Sequence, residues 1–527
     1  MIILGDISGI QHYLFDVAEE GGGQAQRLRA RSFFVQLLAE TAALRTLRTL
    51  GWPLDSTHFL QSGAGKFLLR GPTAPGVDQC LAREQQTINE WLLRETRAEL
   101  RLTLAWADSA GSDATAYEAA QQALQRTKAR PWAPVPAGGW ERSRLMLAPL
   151  DTPCSLCGHA PAQILETDRD TGQGRLVCRT CAANRELGQR LPRAKWLIVR
   201  DTPQTADFEV FGLGVSVTNE GPVSLGPETV AVTNLRDPDA RPSWCPPQQF
   251  LKRRLMVYVP VDEHGCPVWF TEFVQQAQGD RLLAVLKADA DSLGVLFHRL
   301  LQSKSLEAMT RFSDQLDGFF AGRLGQELVN NPRRGWQWIY TIFAGGDDLV
   351  MVGPWDVLLD FAGRMHELFT EQFRSHGLTL SAGLALVKPK RPIKAAVAEA
   401  ERSLEQAKTG NKDQVAAFGQ VWKWQHHAAI MKTARQLVEW VNSGEMERGW
   451  LHTLLELVEA RHGRRPDPLA TARLAYHVAR NYKSPRVRHW AEHMIKRFDD
   501  VNHIEVRYLP ASLRYALTAT RSPSEEN

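Results

Sequence analysis

The sequence lacks any apolar run near the roughly 18 residues that would cross a bilayer, so no membrane-spanning helix is expected in its 527 residues. The opening Met1-Ile-Ile-Leu-Gly5 also lacks the basic flank, apolar core and cleavage site of a secretory signal, which predicts a cytoplasmic product. Cysteine is scarce: seven residues do not make a disulfide scaffold. The net charge of +4 neither demands nor excludes nucleic acid and leaves any basic surface local. The rest of the composition, 43% hydrophobic and 23% charged, is that of a globular protein. At about 100–200 residues per domain, a chain this long should hold three to five.

Along the chain one order of elements occurs twice. Residues 1–8 read as a strand, Leu28–Leu47 as an amphipathic helix, and Thr57–Gln61 and Phe67–Arg70 as strands around a Gly63-Ala64-Gly65 turn. A helix over Val77–Glu99 and an alternating strand Arg101–Trp106 complete the β-α-β-β-α-β order of a ferredoxin-like unit. The order returns as strand Leu282–Asp289, helices Leu293–Gln302 and Leu306–Val329, and strands Trp336–Phe343 and Leu349–Val352 around Gly345-Gly346. Helix Trp355–Phe373 and strand Leu378–Val387 close it. Matching landmarks (Asp6 and Asp289, Gly65 and Gly346) stand roughly 280 residues apart, as in two diverged copies of one fold. Between them lies a Pro-, Gly- and Cys-containing stretch. After Val421 the chain turns helical, over Gln425–Val441, Arg448–Arg461 and Leu469–Tyr482, and ends in a polar tail, Ser522–Asn527, expected to be disordered. The predicted fold is α+β: a first palm over 1–130, a linker domain with a zinc ribbon over 131–278, a second palm over 279–422 and an α-helical C-terminal domain over 423–527.

The sharpest chemical signal is Phe343-Ala-Gly-Gly-Asp-Asp348. Two glycines let a hairpin turn at positive φ and let a polyphosphate approach the backbone. Asp347 and Asp348 sit at the tip, and Asp289 and Asp291 end another strand on one face, since side chains alternate along a strand. If the strands are neighbours, carboxylates converge as magnesium or manganese requires. Two such ions can activate a ribose hydroxyl and stabilise departing pyrophosphate, the geometry of nucleotidyl transfer. Alone, the Gly-Gly-Asp-Asp turn reads as readily as a solvated acidic tip; Asp289 and Asp291 favour the catalytic reading. Asp291 is the weakest ligand candidate, with helix N-capping its other role. Lys408 and Lys412 could complement a triphosphate or simply favour a helix C-terminus, and Ser381 could touch a nucleotide or pack in the core. The first copy keeps Asp6 but has Ser62-Gly63-Ala64-Gly65-Lys66 where the second has its acids, so it should bind a nucleotide, with Gly63 and Gly65 as candidate contacts, without assembling two metals. Arg27, Arg29 and Arg31 form a cluster that could reach phosphates or RNA, or be a solvated helix start.

Cys154-Ser-Leu-Cys157 and Cys178-Arg-Thr-Cys181 are two knuckles twenty residues apart, matching a tetrahedral structural zinc with no open position. Cys80, Cys245 and Cys266 are isolated and read as packing residues.

In combination these segments resemble the large subunit of type III CRISPR–Cas effector complexes, in its Csm branch. The likeness runs over nearly the whole chain and is carried by Gly5-Asp-Ile-Ser-Gly-Ile-Gln11, Arg27–Ser32, the cysteine pairs, Asp289-Ala-Asp-Ser-Leu-Gly294, Ala344–Asp348, Leu380-Ser-Ala-Gly383, Pro392-Ile393 and Ala407-Lys-Thr-Gly-Asn-Lys412. The resemblance implies a complex with guide RNA and other type III subunits that, on binding target RNA, makes cyclic oligoadenylates from ATP with magnesium or manganese. It implies metal at Asp289, Asp347 and Asp348, triphosphate along Gly345 and Gly346, and a second ATP at Ser8 and Gly9. Two departures stand out. Relatives often begin with a histidine–aspartate nuclease domain, whereas this sequence has no His-Asp dipeptide, so no such deoxyribonuclease is expected. The first hairpin usually carries three glycines, and here Ala64 replaces the middle one. Two alternatives remain: a stand-alone palm cyclase or polymerase making another nucleotide messenger, and a non-catalytic scaffold for RNA and small subunits.

Overall fold

The computed structural model describes residues 1–15, 23–108, 112–129, 151–167, 172, 174–222, 225–253, 258–303, 305–331, 334–346, 348–462, 466–500 and 502–521. The expected polar tail, Ser522–Asn527, lies outside the described residues.

Apolar alternation makes the first sheet. β1 (Ile2–Ser8) turns Ile3 and Ile7 to one core and Ile2 and Leu4 to the other. After a short helix α1 (Ile10–Phe15) and the long α2 (Gln24–Thr49) come β2 (Phe59–Gly63), β3 (Lys66–Arg70), α3 (Val77–Glu95), β4 (Arg101–Ala107) and α4 (Asp113–Lys128). The sheet order is β2-β3-β1-β4. α3 stops short of the predicted Glu99 because Arg97 and Ala98 reverse the chain at positive φ, 51° and 64°.

The cysteine-containing stretch forms a hairpin of β5 (Ile164–Thr167) and β6 (Gly174–Val177), then α5 (Arg179–Arg190). A separate four-stranded sheet follows, from β7 (Trp196–Arg200), β8 (Phe208–Val210), β9 (Leu213–Thr218) and β10 (Thr229–Asn234), in the order β10-β7-β9-β8. A one-turn helix α6 (Phe270–Phe273) leads into the second repeat.

That repeat runs β11 (Leu283–Asp291), α7 (Leu293–Ser303), α8 (Leu306–Asp317), a π-helical turn (Gly318–Arg323), α9 (Leu324–Asn330), β12 (Tyr340–Gly345), β13 (Asp348–Pro354), α10 (Trp355–Phe373), β14 (Thr379–Val387) and α11 (Ile393–Lys408). The predicted single helix Leu306–Val329 is thus three segments, and the predicted strand from Trp336 starts only at Tyr340. Two further strands, β15 (Gln414–Ala417) and β16 (Gln420–Lys423), extend the sheet to β12-β13-β11-β14-β15-β16. Its first four strands repeat the order of the first sheet. The two units share a core: Val285, Tyr340, Ile342 and Val350 of the second pack in one cluster with Leu28, Phe33 and Leu37 of α2.

The C-terminal helices are α12 (Trp424–Asn442), α13 (Arg448–His462), α14 (Ala470–Asn481), α15 (Pro485–Ile495), α16 (Ile504–Arg507) and α17 (Leu509–Ala519). The last three were not anticipated. α17 is buried along most of its length, and Tyr515 stacks edge-on against Trp355 at 4.8 Å. Among the described residues no helix is long and apolar enough to cross a membrane.

Candidate functional site

Register decides which acids meet. β11 pairs antiparallel with β13 so that Asp289 stands opposite Asp348. Two carboxylates face to face repel, and cations answer them. Lys408, the last residue of α11, places Nζ 2.7 Å from Asp289 Oδ2. Burial works against the Lys408 ammonium, but the bond to Asp289 more than offsets it, so its pKa lies above the usual lysine value. Lys287, two residues before Asp289, is 3% exposed and donates to Glu401. Burial holds its pKa below the usual lysine value, against the pull of Asp348 and Asp289. Asp347 lies outside the described residues.

Asp291 does not join this group. Its carboxylate accepts from Thr379 Oγ1 at 2.8 Å, from Ser381 Oγ at 2.9 Å and from the Asp413 backbone N at 3.1 Å. It fastens β14 and the loop after α11 to the end of β11. Ser381 packs in the core: the side chain is fully buried and its hydroxyl donates to Asp291. Lys412 lies at the rim, with Nζ donating to Ser292 Oγ at 3.0 Å. Among the described residues, the four cysteines below are the only set of three or more candidate metal ligands.

The first unit supplies the opposite wall. A cavity of about 440 Å³ opens between the two sheets. Asp6, Ser8, Gly9, Lys66 and Lys128 line it from the first, Lys287 and Asp348 from the second. Three ammonium groups around two carboxylates suit a polyphosphate carried with a divalent cation. Lys128, the last residue of α4, sits 2.6 Å from Asp6 Oδ2, repeating the Lys408–Asp289 pair one unit earlier. The hairpin tips touch: a Cβ added at Gly346 would stand 3.1 Å from the Ala64 methyl. Gly346 also needs its φ of +62° for the turn. Gly345 likewise lies against Ala64, Gly65 against Ile10 and Gly63 against the Asp317 carboxylate, so each has a packing reason besides any ligand. Gly9, at φ +94°, tolerates no Cβ, which would meet the Glu99 carbonyl at 1.9 Å.

Cys154, Cys157, Cys178 and Cys181 bring their sulfurs within 4.8 Å of one another. The Cys157–Cys178 separation, 3.8 Å, is the edge of a tetrahedron with bonds of about 2.3 Å, the zinc–thiolate length. Backbone N–H groups of Leu156 and Cys178 point at Cys154 Sγ, and that of Cys181 at Cys178 Sγ, as thiolates favour. The residues fit zinc, with no position left open for chemistry. Arg27 joins this cluster to α2: its Nε donates to the Cys181 carbonyl at 3.2 Å and it pairs with Glu166.

The arginine segment is therefore neither a solvated helix start nor a phosphate surface. Arg27, Arg29 and Arg31 are 2%, 1% and 8% exposed. Arg31 donates to the Tyr13 carbonyl at 2.6 Å and lies over the Tyr13 ring. Sequence reading noted Lys66 as a cation at the first hairpin but missed Lys128 and Lys287. The repeat itself could have found Lys128, which stands to Asp6 as Lys408 stands to Asp289.

Two family models match: residues 282–416 match Cas10/Cmr2, second palm domain, and residues 1–134 match Csm1 subunit domain B. Two curated relatives carry the name CRISPR system single-strand-specific deoxyribonuclease Cas10/Csm1 (subtype III-A). The one from Thermococcus onnurineus is 26% identical over 87% of this chain and 62% of its own length. The one from Enterococcus italicus is 25% identical over 97% of this chain and 66% of its own. The chain thus spans under two thirds of the length of these relatives. Among solved structures, a Csm1-Csm4 cassette in complex with one ATP matches with TM-score 0.73 and 21% identity, over 99% of this chain and 70% of that one. A cassette in complex with cA4 matches with TM-score 0.72. The matched models, the full-length likeness in fold and the repeated sheets identify the chain as a relative of the Csm-type Cas10 large subunit.

Proposed function

We propose that the chain is an ATP-using nucleotidyltransferase that makes cyclic oligoadenylates as the large subunit of a type III CRISPR effector complex, switched on by target RNA bound to guide RNA. The observation that carries the reading is the pair Asp289–Asp348, opposed in register beside a lysine-lined cavity between two like sheets. The neighbours solved with ATP and with cA4 and cA3 support the choice of adenine.

In this reading Asp289 and Asp348, with Asp347, hold magnesium or manganese. Such ions would activate a ribose hydroxyl and stabilise departing pyrophosphate. Lys408, already at Asp289, moves to or shares the triphosphate, and Lys412 lies at the rim beside it. Gly345 and Gly346 carry the backbone past the phosphates. The first palm, with Ser8, Gly9, Gly63, Gly65 and Lys66, holds the second ATP and contributes no metal. The four cysteines hold zinc that keeps the linker domain folded. The domain limits 1–130, 131–278, 279–422 and 423–527 are part of the proposal. The deoxyribonuclease in the relatives' names is not carried over, because the chain spans less than two thirds of those proteins.

The test is ATP turnover with magnesium or manganese, products resolved by mass spectrometry, for the chain alone and assembled with guide and target RNA. Cyclic adenylates only with target RNA would support the reading. Product from the isolated chain would favour a stand-alone cyclase. No product from an assembled, target-bound complex would leave a scaffold.

A further inference from the structure

One helix of the second palm ties the two hairpins together. α8 runs along edge strand β2 of the first palm, and three of its side chains make the connection. Glu307, in its first turn, takes an ion pair from Arg70 at 2.6 Å. Ser313 accepts from Gln61 Nε2. Asp317, one turn after Ser313 and on the same face, ends the helix between the two tips. Asp317 Oδ1 accepts from the Gly346 backbone N at 3.1 Å, while Oδ2 lies 3.0 Å from where a Cβ on Gly63 would stand. Burial holds its carboxyl above the usual range, against the nearby Arg253 guanidinium, which is itself paired with Glu40 of α2. Immediately after Asp317 the helix widens into the π-helical turn Gly318–Arg323. Such irregularities persist where something outweighs their cost, often function.

We infer that Asp317 is a positioning residue: its carboxylate holds the Gly345-Gly346 turn and the Gly63 turn at a fixed spacing, and so sets where Asp348 stands relative to the first palm. Gly346 is two residues before Asp348, and its N–H has a side-chain partner on another element rather than on its own hairpin. Losing that bond frees the turn to shift, and displacements near 1 Å at a reacting centre cost about 100-fold in rate. Asn retains an oxygen that can accept the same N–H; Ala retains nothing. The catalytic part of this inference rests on the proposed nucleotidyl transfer. The positioning part does not.

The test uses Asp317→Ala and Asp317→Asn in the assembled, target-bound complex, with two readouts. Backbone hydrogen exchange over residues 340–352 should rise in Asp317→Ala and stay at the wild-type level in Asp317→Asn. ATP turnover in Asp317→Ala should show kcat reduced by about 10- to 100-fold with KM for ATP unchanged, and Asp317→Asn should restore most of it. Unchanged exchange in a folded Asp317→Ala protein overturns the positioning role, whether or not the complex makes product. A rise in KM at unchanged kcat overturns it in favour of ligand binding. If Asp317→Ala does not fold, Gly63→Ala serves instead, since its methyl crowds Oδ2; unaltered exchange there overturns the inference. An inactive wild type would count against the proposed reaction, leaving the exchange result to decide the positioning role.

Discussion

The two palms carry the same ion pair and differ in what faces it. In the first, Asp6 is bonded to Lys128 and stands opposite Lys66 across the strands. In the second, Asp289 is bonded to Lys408 and stands opposite Asp348. One cross-strand position has thus become a cation in one copy and a second anion in the other. An acid between two lysines is neutralised by the protein. Two facing acids, with Lys408 bonded to Asp289 and Lys287 paired with Glu401, keep negative charge that a divalent cation can take up. In the proposed reading this difference is what assigns the divalent cation to the second half and not to the first. The two halves are also physically joined: their sheets share a core and their hairpin tips are in contact.

The largest expected effect breaks the second site alone. Asp348→Ala should reduce metal-dependent ATP turnover by about 1000-fold or more, the scale of losing a main electrostatic group, while Asp6→Asn should reduce it far less. Equal losses would erase the distinction between the palms. The next effect is on stability. His427, on the buried face of α12, accepts from Trp422 Nε1 through Nδ1 at 3.3 Å, and burial holds its pKa down to about 4. Unfolded chains bind that proton near pH 6.5 and the folded protein does not, so stability is lost as pH falls from 6.5 toward 4, by about 3 kcal/mol. The imidazole packs against Gly363 of α10, so the loss belongs to the seam between the C-terminal helices and the second palm. His427→Gln should flatten it in pH-dependent chemical unfolding.

Converting one palm toward the other gives a smaller effect. Lys66→Asp opposes two acids in the first sheet, as in the second, and should cost about 1 kcal/mol. Millimolar magnesium should recover part of it in thermal melts; no response to magnesium would mean that facing acids alone do not make a cation site. Smallest is Ala64→Gly. Ala64 sits at φ +50°, where alanine is strained by about 1 kcal/mol, but glycine's extra freedom stabilises the unfolded state by a similar amount. The melting temperature should move by no more than a few degrees.

The repeat was legible because it rests on local signals: alternating strands, glycine turns and an acid at the end of each first strand. The cysteine knuckles were legible for the same reason, since their spacing alone brings four sulfurs together. Tertiary partners were not. Asp291 and Ser381 carry the right atoms at the right period, but their bond to each other is visible only once β11 and β14 are paired in register. Arg27, Arg29 and Arg31 read as charge on a helix, and nothing local shows that Cys181 of α5, Tyr340 of β12 and Tyr13 of α1 lie against them. Asp317 ends an unremarkable helix until the two hairpins meet at it. Helix α15 shows few apolar positions among its Arg and His residues, and α17, buried along most of its length, has no polar face to give a helical period.

The most direct test of the central claim is a manganese titration of the whole chain with ATP, followed by electron paramagnetic resonance, comparing wild type, Asp348→Asn and Asp6→Asn. The account predicts that Asp348→Asn weakens manganese binding at least about tenfold, since losing even an outer-shell partner costs that much, while Asp6→Asn binds as wild type does. Equal weakening by both, or by neither, would contradict it.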